Sequence, residues 1–510
     1  MNHSPPHARA AVAALVLLAC ALPAAAKESP DIAQVRQTTQ KLINLLVEQG
    51  VITRARAEAL LAEVERPAAP AAARAPAAPP PVRVQLVPDI VKKEIRDEVR
   101  TELVAQALRE GWAGPGTVPE WTRGLRIEGD LRTRLQADRY ADDNAPAVSV
   151  TDTNRSRALT LANNTVDRER LRVRVRLGAS FTLDEQWGGS VRLTSGSTTD
   201  PVSSNQTLGT YGNRFTTAFD RAFIRWRFGS EWGAVFGRFG NPWFGTELLW
   251  AADLGFDGVA VQWTPRWTPA WSGFATLGLL PVQEVELSGA DKWLLGLQAG
   301  AEYAAAGGWR AKGALGYYDY RNTTGKANPA NSSLYDSTAP AFAQKGNTYF
   351  NISSDVNRPL LALASDYRLV NLTASVELPA GGGRVGALTV DWVRNLGFDR
   401  ADVAARVGQD VAPQVNGLLL RASFGQADVA KRGDWQLVAG YKRVERDAVP
   451  DAFTDSDLRL GGTDTRGFFV GGSYGLGRNT TLGMRYLSGE TISGAPFTVD
   501  TLQVDLNARF

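Results

Sequence analysis

The sequence predicts an all-β fold, a transmembrane antiparallel β-barrel of about sixteen strands preceded by a short α-helical leader. Three observations predict it. Apolar and polar residues alternate with a period of two from Trp121 to Phe510. Short connections alternate with long polar ones along that stretch. No apolar run beyond the N-terminus approaches the roughly 20 residues that a spanning helix needs. With 44% hydrophobic residues and a mean hydropathy of -0.20, the chain is too polar for a helical membrane protein. Interleaved apolar residues in a barrel escape that limit.

The N-terminus reads as an export signal over residues 1–26. His7 and Arg9 precede an apolar run from Ala10 to Leu22, and Ala24, Ala25 and Ala26 offer a small-residue cleavage site. Cys20 follows Leu17-Leu18-Ala19, a loose lipoprotein box in which Leu18 is unusual. Cleavage before Lys27 removes the only cysteine and both histidines, His3 and His7. The mature chain then has no Cys–His dyad, Ser–His–Asp triad or histidine metal site, which argues against a nucleophilic enzyme.

Residues 27–66 carry a helical pattern. Ile32, Val35, Leu42, Leu45 and Leu46 form one stripe, Gly50 interrupts it, and Thr53 caps a second helix bearing Ala57, Leu60, Leu61 and Val64. Residues 67–87 are an Ala/Pro-rich linker that buries nothing. Over 88–118 an amphipathic helix places Val91, Ile95, Val99, Leu103 and Ala107 at steps of four, and Gly and Pro punctuation ends it.

Residues 119–510 form the barrel. In the first strand Leu125, Ile127, Gly129, Leu131, Thr133 and Leu135 alternate with Arg126, Glu128, Asp130, Arg132 and Arg134, and in the second Leu171, Val173, Val175 and Leu177 alternate with Arg170, Arg172, Arg174 and Arg176. The final strand alternates Leu502, Val504, Leu506, Ala508 and Phe510 with Thr501, Gln503, Asp505, Asn507 and Arg509. Between them, strands are predicted near 188–196, 218–229, 232–240, 256–263, 271–280, 292–303, 308–320, 367–378, 384–395, 416–425, 433–445, 465–475 and 479–488. Trp187, Trp232, Trp263, Trp271, Trp309 and Trp435 lie beside short turns, as an interfacial girdle requires.

The run from Val87 to Arg100, then Pro119-Glu120-Trp121 and Glu128-Gly-Asp-Leu-Arg132, resembles the "putative porin" family of proteobacterial outer membranes. Gly237-Arg-Phe-Gly-Asn-Pro-Trp243, with Leu249-Trp250, Asp253-Leu254 and Asp257-Gly258, is similar to that family's mid-barrel motif. Where the family carries an acid after the tryptophan, this chain has Ala251. The resemblance implies an outer-membrane channel for passive diffusion of small hydrophilic solutes, with the N-terminal helices in the periplasm. It also implies contact with outer-membrane lipid and lipopolysaccharide, a homotrimer, and recognition of the Phe510 strand by the barrel-assembly machinery. It transfers no cofactor, metal or substrate residue, and the net charge of +3 suggests no nucleic-acid partner. A plugged barrel acting as an envelope tether, and an outer-membrane enzyme, are the alternatives.

Inside such a barrel, Arg170, Arg172, Arg174, Arg176, Arg192, Arg221, Arg225, Arg227 and Arg238 are expected to build one basic wall. Guanidinium groups stay charged and hydrated, so the wall either keeps the lumen wet while pairing with loop acids or biases it to anions. The connection from Asn241 to Gly255 is the candidate constriction. It offers Glu247 and Asp253, with Asp257 just after it, while Pro242, Trp243, Phe244 and Trp250 suit a packed plug equally well. Asp142 and Asp143, and Asp451, Asp455 and Asp457, are loop acid clusters suited to Ca²⁺ or lipopolysaccharide cations, though their spacing matches no EF-hand and they read first as solvated loop tips. Tyr317, Tyr318 and Tyr320 read as girdle.

Overall fold

The computed structural model describes residues 124–145, 163–286, 288–355 and 357–510. The signal peptide, hairpin, linker and amphipathic helix expected over residues 1–118 lie outside them. The chain divides into two units, Met1–Asp97 and Glu98–Phe510, and every described residue belongs to the second.

Alternation builds the wall. It comprises β1 (Arg126–Tyr140), β2 (Arg168–Thr182), β3 (Trp187–Ser195), β4 (Thr217–Arg227), β5 (Trp232–Phe239), β6 (Phe256–Trp263), β7 (Trp271–Gln283) and β8 (Lys292–Ala304). It continues through β9 (Arg310–Arg321), β10 (Tyr367–Pro379), β11 (Arg384–Asn395), β12 (Asn416–Gln426), β13 (Trp435–Val444), β14 (Thr465–Gly477), β15 (Thr480–Thr491) and β16 (Val499–Arg509). Each strand pairs antiparallel with the next, and β1 pairs with β16 from Asp130↔Arg509 to Tyr140↔Val499. That last ladder closes the sheet and leaves no edge. A two-residue strand, Gln206–Thr207, borders β2 beside Arg172 and Val173.

The outer face is apolar. On β2, Leu171, Val175 and Leu177 are exposed, as are Leu131 and Leu135 on β1 and Leu506 on β16. Such a face is unfavourable in water and favourable against lipid. At the short-turn end the aromatic residues form a stacked chain. Trp187 stacks on Trp226 at 5.3 Å, Phe228 on Trp232 at 6.1 Å, and Trp232 on Trp263 at 5.7 Å.

Turn chemistry explains the short connections. Asp184 Oδ1 accepts from the backbone N–H groups of Gln186 and Trp187, both at 2.7 Å, folding the β2–β3 link. Gly381, Gly382 and Gly383 between β10 and β11 all have positive φ, 74°, 59° and 73°, a run that side chains would strain. At the other end the links are long. Residues 322–366 carry a small hairpin, Tyr349–Asn351 with Leu361–Leu363. Residues 396–415 carry α1 (Arg400–Val407), capped by Asp399 and ended by Gly408 at φ 80°. This helix is absent from the sequence expectation because it is short and only Val403 is buried.

The core lies inside the barrel. Connections 240–255 and 445–464 fold inward, and Trp243, Leu248, Trp250, Val449 and Leu254 pack with Leu294, Tyr318, Tyr367, Leu369, Val393 and Leu419 from the wall. Tyr318 and Tyr320 are therefore buried core residues and only Tyr317 faces out, which corrects the girdle expectation for two of the three.

Candidate functional site

The site is the barrel interior, and its first component is the inner face of β1–β4. Register sets like charges side by side: Arg172 lies across from Arg134 and Arg174 across from Arg132. Such a face needs acids close by, because like charges directly opposite destabilise a sheet. Asp138 takes Arg170 at 2.6 Å. Asp130 takes Arg174 at 2.7 Å and Arg176 at 2.6 Å. Asp505 receives a two-pronged fork from Arg134 at 2.7 and 2.8 Å, and Asp220 one from Arg192 at 2.9 and 2.6 Å. These bidentate, charge-assisted contacts are the stronger kind of ion pair.

Arg132, Arg172, Arg221, Arg225 and Arg227 on the same strands have no carboxylate partner among the described residues. Arg132 donates to Asn205 Oδ1 at 2.5 Å and Arg172 to Gln136 Oε1 at 3.1 Å, and the Nε of each has no acceptor. Arg221 donates only to the carbonyls of Asp220 at 2.7 Å and Leu254 at 3.0 Å. Arg225 and Arg227 make no ion pair among the described residues and border a cavity by the β4–β5 turn.

Connection 240–255 is the second component, and the structure strings it across the interior. Phe244 and Gln298 of β8 exchange two hydrogen bonds, 2.8 and 2.7 Å. Thr246 donates twice to Asp391 of β11, from its backbone at 3.0 Å and its hydroxyl at 2.6 Å. Glu247 pairs with Arg421 of β12. Ala251, at the position where the family's acid is expected, is buried and donates its N–H to the Phe453 carbonyl at 2.8 Å. Asp253 returns to the basic face, 3.6 Å from both Arg174 and Arg176. Burial opposes the ionisation of Asp253, but two donations from Ser204 and the neighbouring arginines outweigh it and hold the carboxyl below its ordinary range.

Connection 445–464 is the third component and locks the second. Thr454 Oγ1 donates to the Leu248 carbonyl at 2.7 Å, and Asp455 N–H to that of Glu247 at 3.3 Å. Asp457 reaches the basic face, 3.5 Å from Arg134 and 3.1 Å from Arg485. Despite burial, those arginines and Gln503 keep its carboxyl below the usual range. Asp451, Asp455 and Asp457 are thus inward groups rather than solvated loop tips. Among the described residues no cluster of acids could hold a metal ion.

A protein-family model described as "Putative porin" matches residues 36–510. The chain belongs to that family. The match reaches farther toward the N-terminus than the resemblance over residues 87–510. Distant likenesses to solved structures accompany it. Pseudomonas putida OprB is 13% identical, with 76% of this chain and 95% of that chain covered at a TM-score of 0.45. The outer membrane channel DcaP of Acinetobacter baumannii is 12% identical, covering 76% and 98% at 0.40. Salmonella typhi OmpF, in a complex with daunomycin, is 11% identical, covering 76% and 97% at 0.40. A search of curated proteins found no match.

In this porin the expected basic residues gather on the early strands. Arg170, Arg172, Arg174, Arg176, Arg192, Arg221, Arg225 and Arg227 face inward along β2–β4, and Arg238 of β5 lines the same cavity as Asp220 and Asp253. The guanidinium groups of Arg238 and Arg221 both crowd Gly255, at the end of the inner loop, and Arg238 pairs with Asp257 at 2.8 Å. Asp257 lines that cavity too, just past the inner loop. Register alone would turn Arg238 outward, across from Ala222, but Gly237 and Gly258 have positive φ, 114° and 124°, and interrupt the alternation there. Asp138, Asp130, Asp220 and Asp505 are the interior partners that strand-by-strand reading missed. Their inward parity was visible, but their pairing depends on cross-strand register. No second observation in the sequence pointed to Asp391 as the anchor of the inner loop.

Proposed function

We propose that this outer-membrane porin passes small hydrophilic solutes by passive diffusion and prefers anions. The observation that carries the preference is the pair Arg132 and Arg172. Both are inward guanidinium groups with an unbonded Nε and no carboxylate partner among the described residues. Paired arginines such as Arg174 and Arg192 contribute little net field, so the bias rests on the unpaired ones. Fixed positive groups in a narrow, low-dielectric passage concentrate anions and deplete cations. Replacing Arg132, Arg172 and Arg225 by Gln should keep the barrel folded and shift the zero-current potential in a salt gradient toward cations; no shift would remove the basic face from the account.

The same reading takes the chain as a homotrimer contacting lipid and lipopolysaccharide, delivered by cleavage near Lys27 and assembled through its final strand. It also takes the segment before the barrel to lie in the periplasm. A second reading, a plugged barrel that tethers the envelope, draws support from the apolar packing of Trp243, Leu248 and Trp250 inside the wall. Planar-bilayer conductance separates the two, since a plugged barrel gives no discrete channel steps.

A further inference from the structure

On the long-loop side of connection 240–255 lies a cavity of about 440 Å³. Its walls come from β3 through β9 and from connections 196–216, 240–255, 322–366 and 445–464. Most of its surface is apolar, supplied by residues such as Phe256, Leu280, Leu294, Phe342, Leu363 and Phe453. Small-molecule sites are commonly built this way, a largely apolar hollow with a few placed polar groups.

One end of the cavity carries groups that the fold leaves unanswered. Lys292, at the start of β8, is 4% exposed and has no carboxylate partner among the described residues. Its ammonium donates to Gln283 Oε1 at 3.0 Å and to the Ala339 carbonyl at 2.7 Å, which leaves one of its three donors free. A buried charge normally has a partner, because removing it from water without one is costly. Thr323 lies just past β9, on the strand end that Asn322 ties to the Asp291 carbonyl at 2.8 Å. Thr323 also lines the cavity, and its buried hydroxyl has no hydrogen-bond partner. Two unmet polar groups thus lie at neighbouring strand ends, beside an apolar hollow.

The acids that line the same cavity do not answer Lys292. Asp220 is held by Arg192, Asp253 by Arg174 and Arg176, and Asp257 by Arg238. Asp200 accepts from the Val202 N–H at 3.0 Å. Asp451 accepts from the Tyr349 hydroxyl at 2.8 Å, and burial pushes its carboxyl up to about 7, so it is largely neutral below that pH.

We propose that this cavity is a binding site for a small organic monocarboxylate with an apolar body, its carboxylate held by Lys292 and Thr323 and its body lying against Leu280, Leu294 and Phe342. The site makes the channel selective for that class rather than for small anions at large. The proposal builds on the anion-channel reading but is testable apart from it, because binding is measurable without conduction.

The test uses the full barrel in detergent, titrated calorimetrically with 3-phenylpropionate, 3-phenylpropanamide and 3-phenylpropylamine, three head groups on one body. The carboxylate should bind and the amide and amine should bind at least tenfold more weakly. Acetate, which lacks the body, should also bind weakly. Lys292→Met should cost the carboxylate at least tenfold in affinity and Thr323→Val severalfold, with both variants still migrating as folded, heat-modifiable barrels. If Lys292→Met fails to fold, the head-group series and Thr323→Val decide. Equal binding of amide and carboxylate, tighter binding of the amine, or unchanged affinity in a folded Lys292→Met variant would overturn the proposal. Potassium chloride conductance is recorded in parallel: binding without conductance would sink the channel reading and leave the site standing, and conductance without binding the reverse.

Discussion

Thr246 and Asp391 are 145 residues apart in sequence and joined by two hydrogen bonds to one carboxylate oxygen, 3.0 Å from the backbone and 2.6 Å from the hydroxyl. The other oxygen of Asp391 accepts from Asn371 at 2.6 Å and Thr373 at 3.2 Å. A carboxylate saturated in this way anchors the tip of the inner loop to the wall.

Losing that anchor should loosen the constriction. In Asp391→Ala the Thr246 N–H is left without its acceptor in a buried place, a cost on the order of 1–3 kcal/mol. The remaining ties, through Gln298 and Arg421, should hold the loop inside the barrel. Larger and noisier single-channel steps are expected. Steps of unchanged size and noise would show that the loop does not bound the pathway.

The closing seam offers a second test. Gly129 and Phe510 exchange backbone hydrogen bonds at 2.9 and 3.0 Å, and the Phe510 ring covers the place where a side chain on Gly129 would stand. A Cβ there would come within 2.5 Å of the ring, so bulk on Gly129 and loss of the ring both damage one contact. Gly129→Val and Phe510→Lys should each lower the temperature at which the barrel loses its folded gel mobility and reduce outer-membrane yield. Equal mobility and yield in both variants would leave the seam without a role in assembly.

The reason so much of the wall was legible lies in β2. Four arginines alternating with Leu171, Val173, Val175 and Leu177 admit only one assignment of faces, and the final strand admits only one as well. Alternation carries no information about what folds inside. Asp451, Asp455 and Asp457 look like any acidic loop tip until Thr454 is seen bonded to Leu248, a contact that spans some 200 residues. The charge pairs Arg170–Asp138 and Arg192–Asp220 required the register that only hairpin pairing sets.

Asp451 should make the grip of connection 445–464 dependent on pH. Burial raises its carboxyl from 3.8 to about 7. The Tyr349 hydroxyl donates to it, and Lys345, Asp447 and Tyr367 are the other titratable groups whose charges act between it and its surroundings. Burial raises the Asp447 carboxyl as well. A carboxyl raised by folding favours the closed loop fully below its free value, and that contribution falls as pH rises from there to about 7. Amide exchange at Ala251 and Asp455, corrected for intrinsic rate, should therefore show weaker protection at pH 8 than at pH 5. Asp451→Asn should reduce the difference, with Asp447 supplying the remainder. A difference of the same size in Asp451→Asn would assign the effect elsewhere.

Ion selectivity tests the central claim most directly. With the purified porin in a planar bilayer under a tenfold potassium chloride gradient, the zero-current potential reports whether chloride or potassium carries the current. Unpaired Arg132, Arg172, Arg225 and Arg227 should make chloride the more permeant ion, more strongly at low salt, because screening over about 8 Å at physiological ionic strength weakens the field. Changing Arg132, Arg172 and Arg225 to Gln should move the potential toward potassium. A wild-type channel that already prefers potassium would contradict the account and assign control of the pathway to Glu247, Asp253 and Asp457.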